Sequence, residues 1–336
     1  MHASSSTGTH ARRRTLLKTT LALPLAGLAS SAGAQAWPTR DIKLVLPSGA
    51  GGGADVFGRP LAEFLSRNLG VPVLVENRPG ANGIVAHEAV LRAPPDGHSL
   101  LISFSAAYLV NRLLMAKMSH DSLNDFVPIG RIGGGGGNVL IVNPAVAAQN
   151  LKELVAQAAK QGGKMSYGSW GAGSGGHLVM EMIKARTGMQ IEHVPYKTVA
   201  QIPPAVVAGD VAAAWIDSAT PVALARSGRI RAIATSSQTR LPQFPEVATL
   251  SEQGVPFNVT SWYGMFVLKG TPAPIIGRMN ALLNQWLVLP DTIAFFEQKQ
   301  NAPAPMPTTP AEFARVLQSD SDGWKKLVED AKLTPS

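Results

Sequence analysis

The chain has 336 residues, 30 basic and 22 acidic, with 45% hydrophobic and 6% aromatic residues and no cysteine. The missing thiols exclude disulfides, thiolate catalysis, cysteine-ligated metals and a lipidated cysteine. Four of the basic residues and none of the acidic ones fall in the first 36, so a formal charge of +8 becomes +4 over the remainder; with sparse aromatics and no run of five basic residues there, a nucleic-acid surface is not indicated.

Arg12, Arg13 and Arg14, the apolar stretch TLALPLAGLASSAGA and Ala34-Gln35-Ala36 together read as a cleavable signal peptide over residues 1–36. Within it RRTLLK resembles the twin-arginine export motif, with Leu16 in place of Phe, and leaves the general secretory route open. The mature chain, from Trp37, is long enough for two domains. No later apolar run reaches the ~18–20 residues of a membrane span.

From there β-rich runs alternate with helical patterns. The strands are expected at IKLVL (42–46), VPVLVE (71–76), SLLISF (99–104), NVLIV (138–142), HVPY (193–196), AAAWID (212–217), IRAIAT (230–235) and YGMFVL (263–268). Amphipathic or alanine-rich segments lie between them at 84–92, 151–161, 178–186 and 272–287. Alternation of this kind predicts an α/β protein with mostly parallel sheets. The apolar runs are continuous rather than alternating, as strands buried on both faces are.

Two stretches share one design. LPSGAGGGAD (46–55) follows the first strand and precedes the helical VFGRPLAEFLSRNL; in the middle of the chain KMSYGS is followed by WGAGSGG and HLVMEMIKART, with Gly188 as the expected C-cap. A helix start offers unpaired N–H groups and about half a positive charge, and glycines let a ligand approach the backbone. Two such starts facing one another across a cleft would hold an anion without any arginine.

A dinucleotide is the rival ligand. Gly49-x-Gly51-x-x-Ala54 satisfies the relaxed G-x-G-x-x-G/A fingerprint, and Glu76 stands where a ribose-binding acid belongs. Against it, Pro47 and Ser48 lengthen the turn and Asp55 puts a negative charge near the pyrophosphate position. A P-loop fails because no Gly-Lys-Ser/Thr follows. A serine hydrolase fails on order, since Asp210 and Asp217 come after His193, the last histidine. Histidines 87, 98, 120, 177 and 193 have no paired metal-ligand spacing, so neither a metal nor a cofactor is expected.

The stretch WPTRDIKLVLPSGAGGGADVFGRPLAEFLSRNLGVPVLVENRPGANGIVAHEAVLRAPPDGHSLLIS is similar to the opening of the Bug-type receptors of tripartite tricarboxylate transporters, with their P-x-x-P-G-G-x-x-D, V-E-N-R-P-G-A-x-G and A-x-P-D-G-x-T-L motifs. The similarity continues through DFVPIGRI, YGSWGAGSGGHL, HVPYKTVAQIPPAVVAGDV, SGRIRAIATSS, TRLPQFPEVATLSEQGVP and SWYGMFVLKGTP. The resemblance implies a two-lobed periplasmic binding protein of the venus-flytrap, type II-like kind, with two mostly parallel sheets and a ligand cleft between lobes. It implies no enzyme. Its ligand would be a small carboxylate, directly held or bridged by ordered waters, and its partners the integral permease subunits; a monomer is expected.

By the same resemblance, the first ligand loop holds Ser48, Gly49, Gly51, Gly52 and Asp55. Here Ala50 replaces the family's usual proline, and Ala54 replaces a hydroxyl residue before the aspartate. Residues 103–107, with Phe104 and Ser105, match a second cleft loop. Ser169, Gly171, Gly173, Ser174 and His177 match the helix start of the other lobe, and Asp217 ends a strand that reaches the pocket. Plainer roles stand beside these: Asp55 as an N-cap, Ser174 as an N-cap that also donates to ligand, His177 as a packed ring, and NRPGANG (77–83) as a structural turn. Pro203-Pro204 interrupts a segment that is helical in the family. The expected lobes are 37–135 with 262–336, and 136–261. The chain would cross between them near 130–137 and 260–264, the glycine run 133–137 serving as a flexible or loose connection.

Overall fold

The computed structural model describes residues 37–115, 117–134, 137–217, 221–259, 261–299 and 304–330. It divides into two compact units, 1–39 and 40–336; of the first only 37–39 are described, and the expected signal peptide lies outside the described residues. Every element below belongs to the second unit. The order is β1 (Ile42–Leu46), α1 (Gly53–Leu69), β2 (Val73–Asn77), α2 (Ile84–Leu91), β3 (Ser99–Phe104), β4 (Phe126–Gly134), β5 (Asn138–Val142), α3 (Leu151–Lys160), β6 (Ser166–Ser169) and α4 (Gly175–Thr187). There follow β7 (Glu192–Pro195), α5 (Ile202–Ala208), β8 (Ala213–Asp217), β9 (Arg231–Thr235), β10 (Trp262–Leu268), α6 (Ala273–Leu287) and α7 (Pro310–Asp330).

The strands form two five-stranded mixed sheets, ordered β2-β1-β3-β10-β4 and β7-β6-β8-β5-β9. In the first, β10 alone runs against its neighbours β3 and β4, while β1 is parallel to β2 and β3. In the second, β5 alone runs against β8 and β9, while β6 is parallel to β7 and β8. The reversed strand in each sheet is the first one the chain makes on arriving from the other. One sheet therefore draws on both ends of the described chain and the other on its middle.

The continuous apolar runs are buried as expected: Ile42, Leu44 and Leu46 have no exposed surface. Against β1 packs the apolar face of α1, where Phe57, Leu61, Phe64 and Leu65 recur at helical spacing. Full burial of each such leucine contributes about 2 kcal/mol. α1 ends at Gly70, whose φ of 73° lets its N–H return to the Ser66 carbonyl, and α4 ends in the same way at the predicted Gly188, φ 71°.

Several local features differ from the sequence reading. β4 contains Pro128 and was not among the expected strands; it lies at the edge of its sheet, where a missing N–H is tolerated. α7 is a 21-residue helix that the reading left out, burying Phe313, Leu317, Trp324 and Leu327. Pro203-Pro204 does not interrupt a helix. The pair sits in the first turn of α5, where N–H groups have no intrahelical partner anyway. The glycine run is not loose where it is described, since a Cβ on Gly133 would lie 2.3 Å from Phe296, on Gly134 2.4 Å from the Trp262 backbone and on Gly137 2.7 Å from the Ser237 backbone. Close packing demands those glycines. Gly135, Gly136 and Thr260 lie outside the described residues.

Candidate functional site

α1 begins earlier than the sequence suggests. Gly52 is its N-cap and Asp55 its third residue, so Asp55 is not the N-cap. Instead the Asp55 carboxylate reaches back. It accepts hydrogen bonds from the Gly51 N–H at 2.8 Å, Arg59 Nε at 2.8 Å and Asn77 Nδ2 at 2.9 Å, while its own N–H donates to Ser48 Oγ at 3.3 Å. Asn77, at the end of β2, also donates to the Ser48 carbonyl at 2.8 Å. The loop 48–55 is thus tied to its sheet. Burial raises the affinity of the Asp55 carboxyl for a proton, but the Arg59, Gly51 and Asn77 hydrogen bonds prevail and hold it below the usual carboxylate range.

α4 repeats the plan. Ser174 is its N-cap and His177 its third residue; Ser174 Oγ accepts from the His177 N–H at 3.4 Å, and His177 Nδ1 accepts from the Gly173 N–H at 3.1 Å. The imidazole faces His193 at 4.3 Å between ring centroids. His193 Nε2 lies 2.7 Å from Ser169 Oγ, which also accepts from Ser174 Oγ at 3.2 Å. Burial depresses the His177 pKa, with Glu181 and Lys184 opposing one another; burial and the neighbouring His177 bring His193 down to about 4.

These internal bonds decide which backbone donors remain. In both starts the N–H before the cap is taken by a side chain, and Gly52 N–H returns to the Gly49 carbonyl as Ser174 N–H does to Gly171. The N–H groups of Gly53 and Ala54, and of Gly175 and Gly176, have no partner among the described residues, as first-turn donors do not within a helix. The candidate glycines from the sequence, Gly49, Gly51, Gly52, Gly171 and Gly173, precede these donors in the chain. Glycines at a helix's first positions carry no helix signal, so the true start of α1 was hidden. Gly51, Gly171 and Gly173 hold φ values of 76°, 120° and 75°, which shape the loops.

The two starts meet around the end of β3. Ser105 is buried and Phe104 half-buried, and a Cβ on Gly175 would lie 3.8 Å from Ala106 Cβ. Gly83 packs between Pro47 and Ala107. Asn82 Nδ2 donates to Asn111 Oδ1 at 2.9 Å and to the Gly173 carbonyl at 3.2 Å, so the NRPGANG turn touches the opposite glycine loop, a role beyond that of a turn. Asp217 ends β8 opposite Asn138. Tyr263 of β10, missed in the sequence reading, pairs with Phe104 and lies over Gly53. Glu76 is held by Arg78 and, at 3.6 Å, by Lys43. No group of histidines and acids among the described residues has the arrangement of a metal site.

Two sheets of matching order, joined by two crossings and each contributing a helix start to one region, define a binding protein of the periplasmic receptor class. The chain belongs to the tripartite tricarboxylate transporter receptor family, whose profile its residues 57–333 match. It is 34% identical to Protein BugT of Bordetella pertussis over 91% of this chain and 93% of that protein. Among solved structures, Rpa4515 of R. palustris with adipate superposes with a TM-score of 0.81 at 28% identity, covering 89% of this chain and 100% of that one. MatC of Rhodopseudomonas palustris with bound malate gives 0.78 at 26% identity, over 87% and 99%. The family is one of solute receptors, not enzymes. No helix among the described residues is long and apolar enough to cross a membrane.

Proposed function

We propose that this chain captures a small carboxylate-bearing solute in the periplasm, after removal of residues 1–36, and delivers it to a tripartite permease. The observation that carries this reading is the pair of like-built helix starts, with the Gly53, Ala54, Gly175 and Gly176 N–H groups free of partners among the described residues. Such donors, aided by the helix dipoles, bind an oxyanion directly or through waters. Adipate and malate in structurally similar proteins support the same ligand class. Residues 37–135 with 262–336 act as one lobe and 136–261 as the other, closing on the ligand as a monomer. Gly49, Gly51, Gly52, Gly171 and Gly173 shape the loops, Ser48, Asp55, Ser169, Ser174 and His177 fix them, and Phe104, Ser105 and Asp217 line the cleft between them.

A thermal-shift titration of the mature chain against aliphatic di- and tricarboxylates, amino acids, aromatic acids and NAD(P) tests this. A ligand at a hundred times its dissociation constant adds about 2.7 kcal/mol. A shift with one carboxylate class is expected; a shift with NAD(P) alone would refute the reading.

A further inference from the structure

Backbone donors alone leave the first helix start without a side chain that reads the ligand. Tyr263 occupies that place. Its ring stands 5.1 Å from Phe57 and, edge-on, 6.3 Å from Phe104, and a Cβ built on Gly53 would lie 2.0 Å from its hydroxyl oxygen. The hydroxyl therefore sits at the first residue of α1, beside the open N–H groups of Gly53 and Ala54, in space that any residue but glycine would fill. It makes no hydrogen bond among the described residues, and its side chain is only partly buried.

Three aromatic rings hold the phenol in one place: Phe57 from α1, Phe104 from β3 and, beyond Phe57, Phe296, stacked on it at 5.0 Å. Burial, reinforced by the Asp217 charge, raises the phenol's pKa well above its ordinary value. The group thus stays protonated and able to donate. Ala54 has no hydroxyl to offer at the same helix start.

We infer that the Tyr263 hydroxyl is a ligand-binding donor of the first helix start, completing with the Gly53 and Ala54 N–H groups the cradle for one carboxylate. This rests on the carboxylate reading above. It makes the pair Gly53 and Tyr263 a determinant of specificity: the phenol narrows the first half of the site and demands an acceptor there.

The test is Tyr263→Phe, which keeps the ring and removes only the donor, with calorimetric titration of malate and of adipate. Loss of a hydrogen bond to a charged group predicts binding roughly tenfold to a hundredfold weaker, while the melting temperature of the ligand-free protein stays that of wild type. If the variant unfolds, Gly53→Ala, which crowds the hydroxyl out while leaving β10 intact, is expected to weaken binding likewise. Wild-type affinity in the variant would overturn the inference while leaving the carboxylate reading intact. Failure of the wild type to bind any carboxylate would instead overturn that reading, and the Tyr263 assignment with it.

Discussion

The starts of α1 and α4 satisfy the same backbone groups with different chemistry. At α1 the third helical residue is a carboxylate, paired with Arg59 and tied to its sheet by Asn77, and the capping hydroxyl comes from Ser48, two residues past the preceding strand. At α4 the third residue is an imidazole packed at a tilt of 32° against a second imidazole, and the cap, Ser174, is local. The first is an ionic clasp and the second a neutral one. A site for an anion gains from that division, since the Asp55 charge is neutralised locally by Arg59, and at α4 the Glu181 carboxylate is paired with Lys184 at 2.8 Å.

The sharpest way to break the comparison is Asp55→Ala. It strips partners from Gly51, Asn77 and Arg59 at once, in a residue only 3% exposed. Because Arg59 itself is half exposed, the expected cost is moderate, about 2 kcal/mol, measured as a lower midpoint in urea unfolding, with ligand affinity lost as the loop relaxes. At α4 the matching change, His177→Ala, removes one acceptor and leaves the Ser174 cap. About 1 kcal/mol is expected from the same assay.

Acid should separate the two starts. His177 and His193 have depressed pKa values in the folded chain, so their neutral forms contribute stability that is complete above the unfolded value of about 6.5 and falls as pH drops through the folded value, about 4 for His193. The buried His87, at about 3, adds to the same fall. Asp55 acts lower: its stabilisation is present above the ordinary carboxylate value of 3.8 and is lost only as pH falls below it. Unfolding midpoints followed from pH 7 to 3 should therefore decline first through the histidines, and the wild type minus His193→Gln difference should isolate the share of His193, the β7 imidazole packed against His177. A flat difference between pH 6.5 and 4 would contradict this.

The smallest effect expected is at the contact between the 77–83 turn and the glycine loop before α4. Asn82 has a φ of 47°, so Asn82→Gly relieves backbone strain while losing the bond to the Gly173 carbonyl. Stability should hardly change and ligand dissociation should quicken a few-fold, read by stopped-flow fluorescence.

Much of this was legible in the sequence. Continuous apolar runs gave most strands, and the glycine loops marked the neighbourhood of both helix starts, though not the first residue of α1. What escaped was set by position in three dimensions. Pro128 made β4 look unlike a strand because an edge location cannot be read from residues 126–134 alone. Asp55 resembled an N-cap because its partners, Arg59 and Asn77, lie a turn ahead and a strand away. Tyr263 was hidden in an apolar run, and only the register that sets it opposite Phe104 and over Gly53 distinguishes it from core.

The place of β10 also bears on how the chain assembles. All strands of the second sheet fall within residues 138–235, whereas β10 is inserted between β3 and β4. Those two strands have no direct pairing until residues 262–268 arrive, and such distant pairing is slow. The middle of the chain is thus expected to gain protection first in pulsed hydrogen exchange during refolding, ahead of β3 and β4; simultaneous protection would contradict this order. A chain emerging from its N-terminus would complete its second sheet while its first is still waiting for a partner.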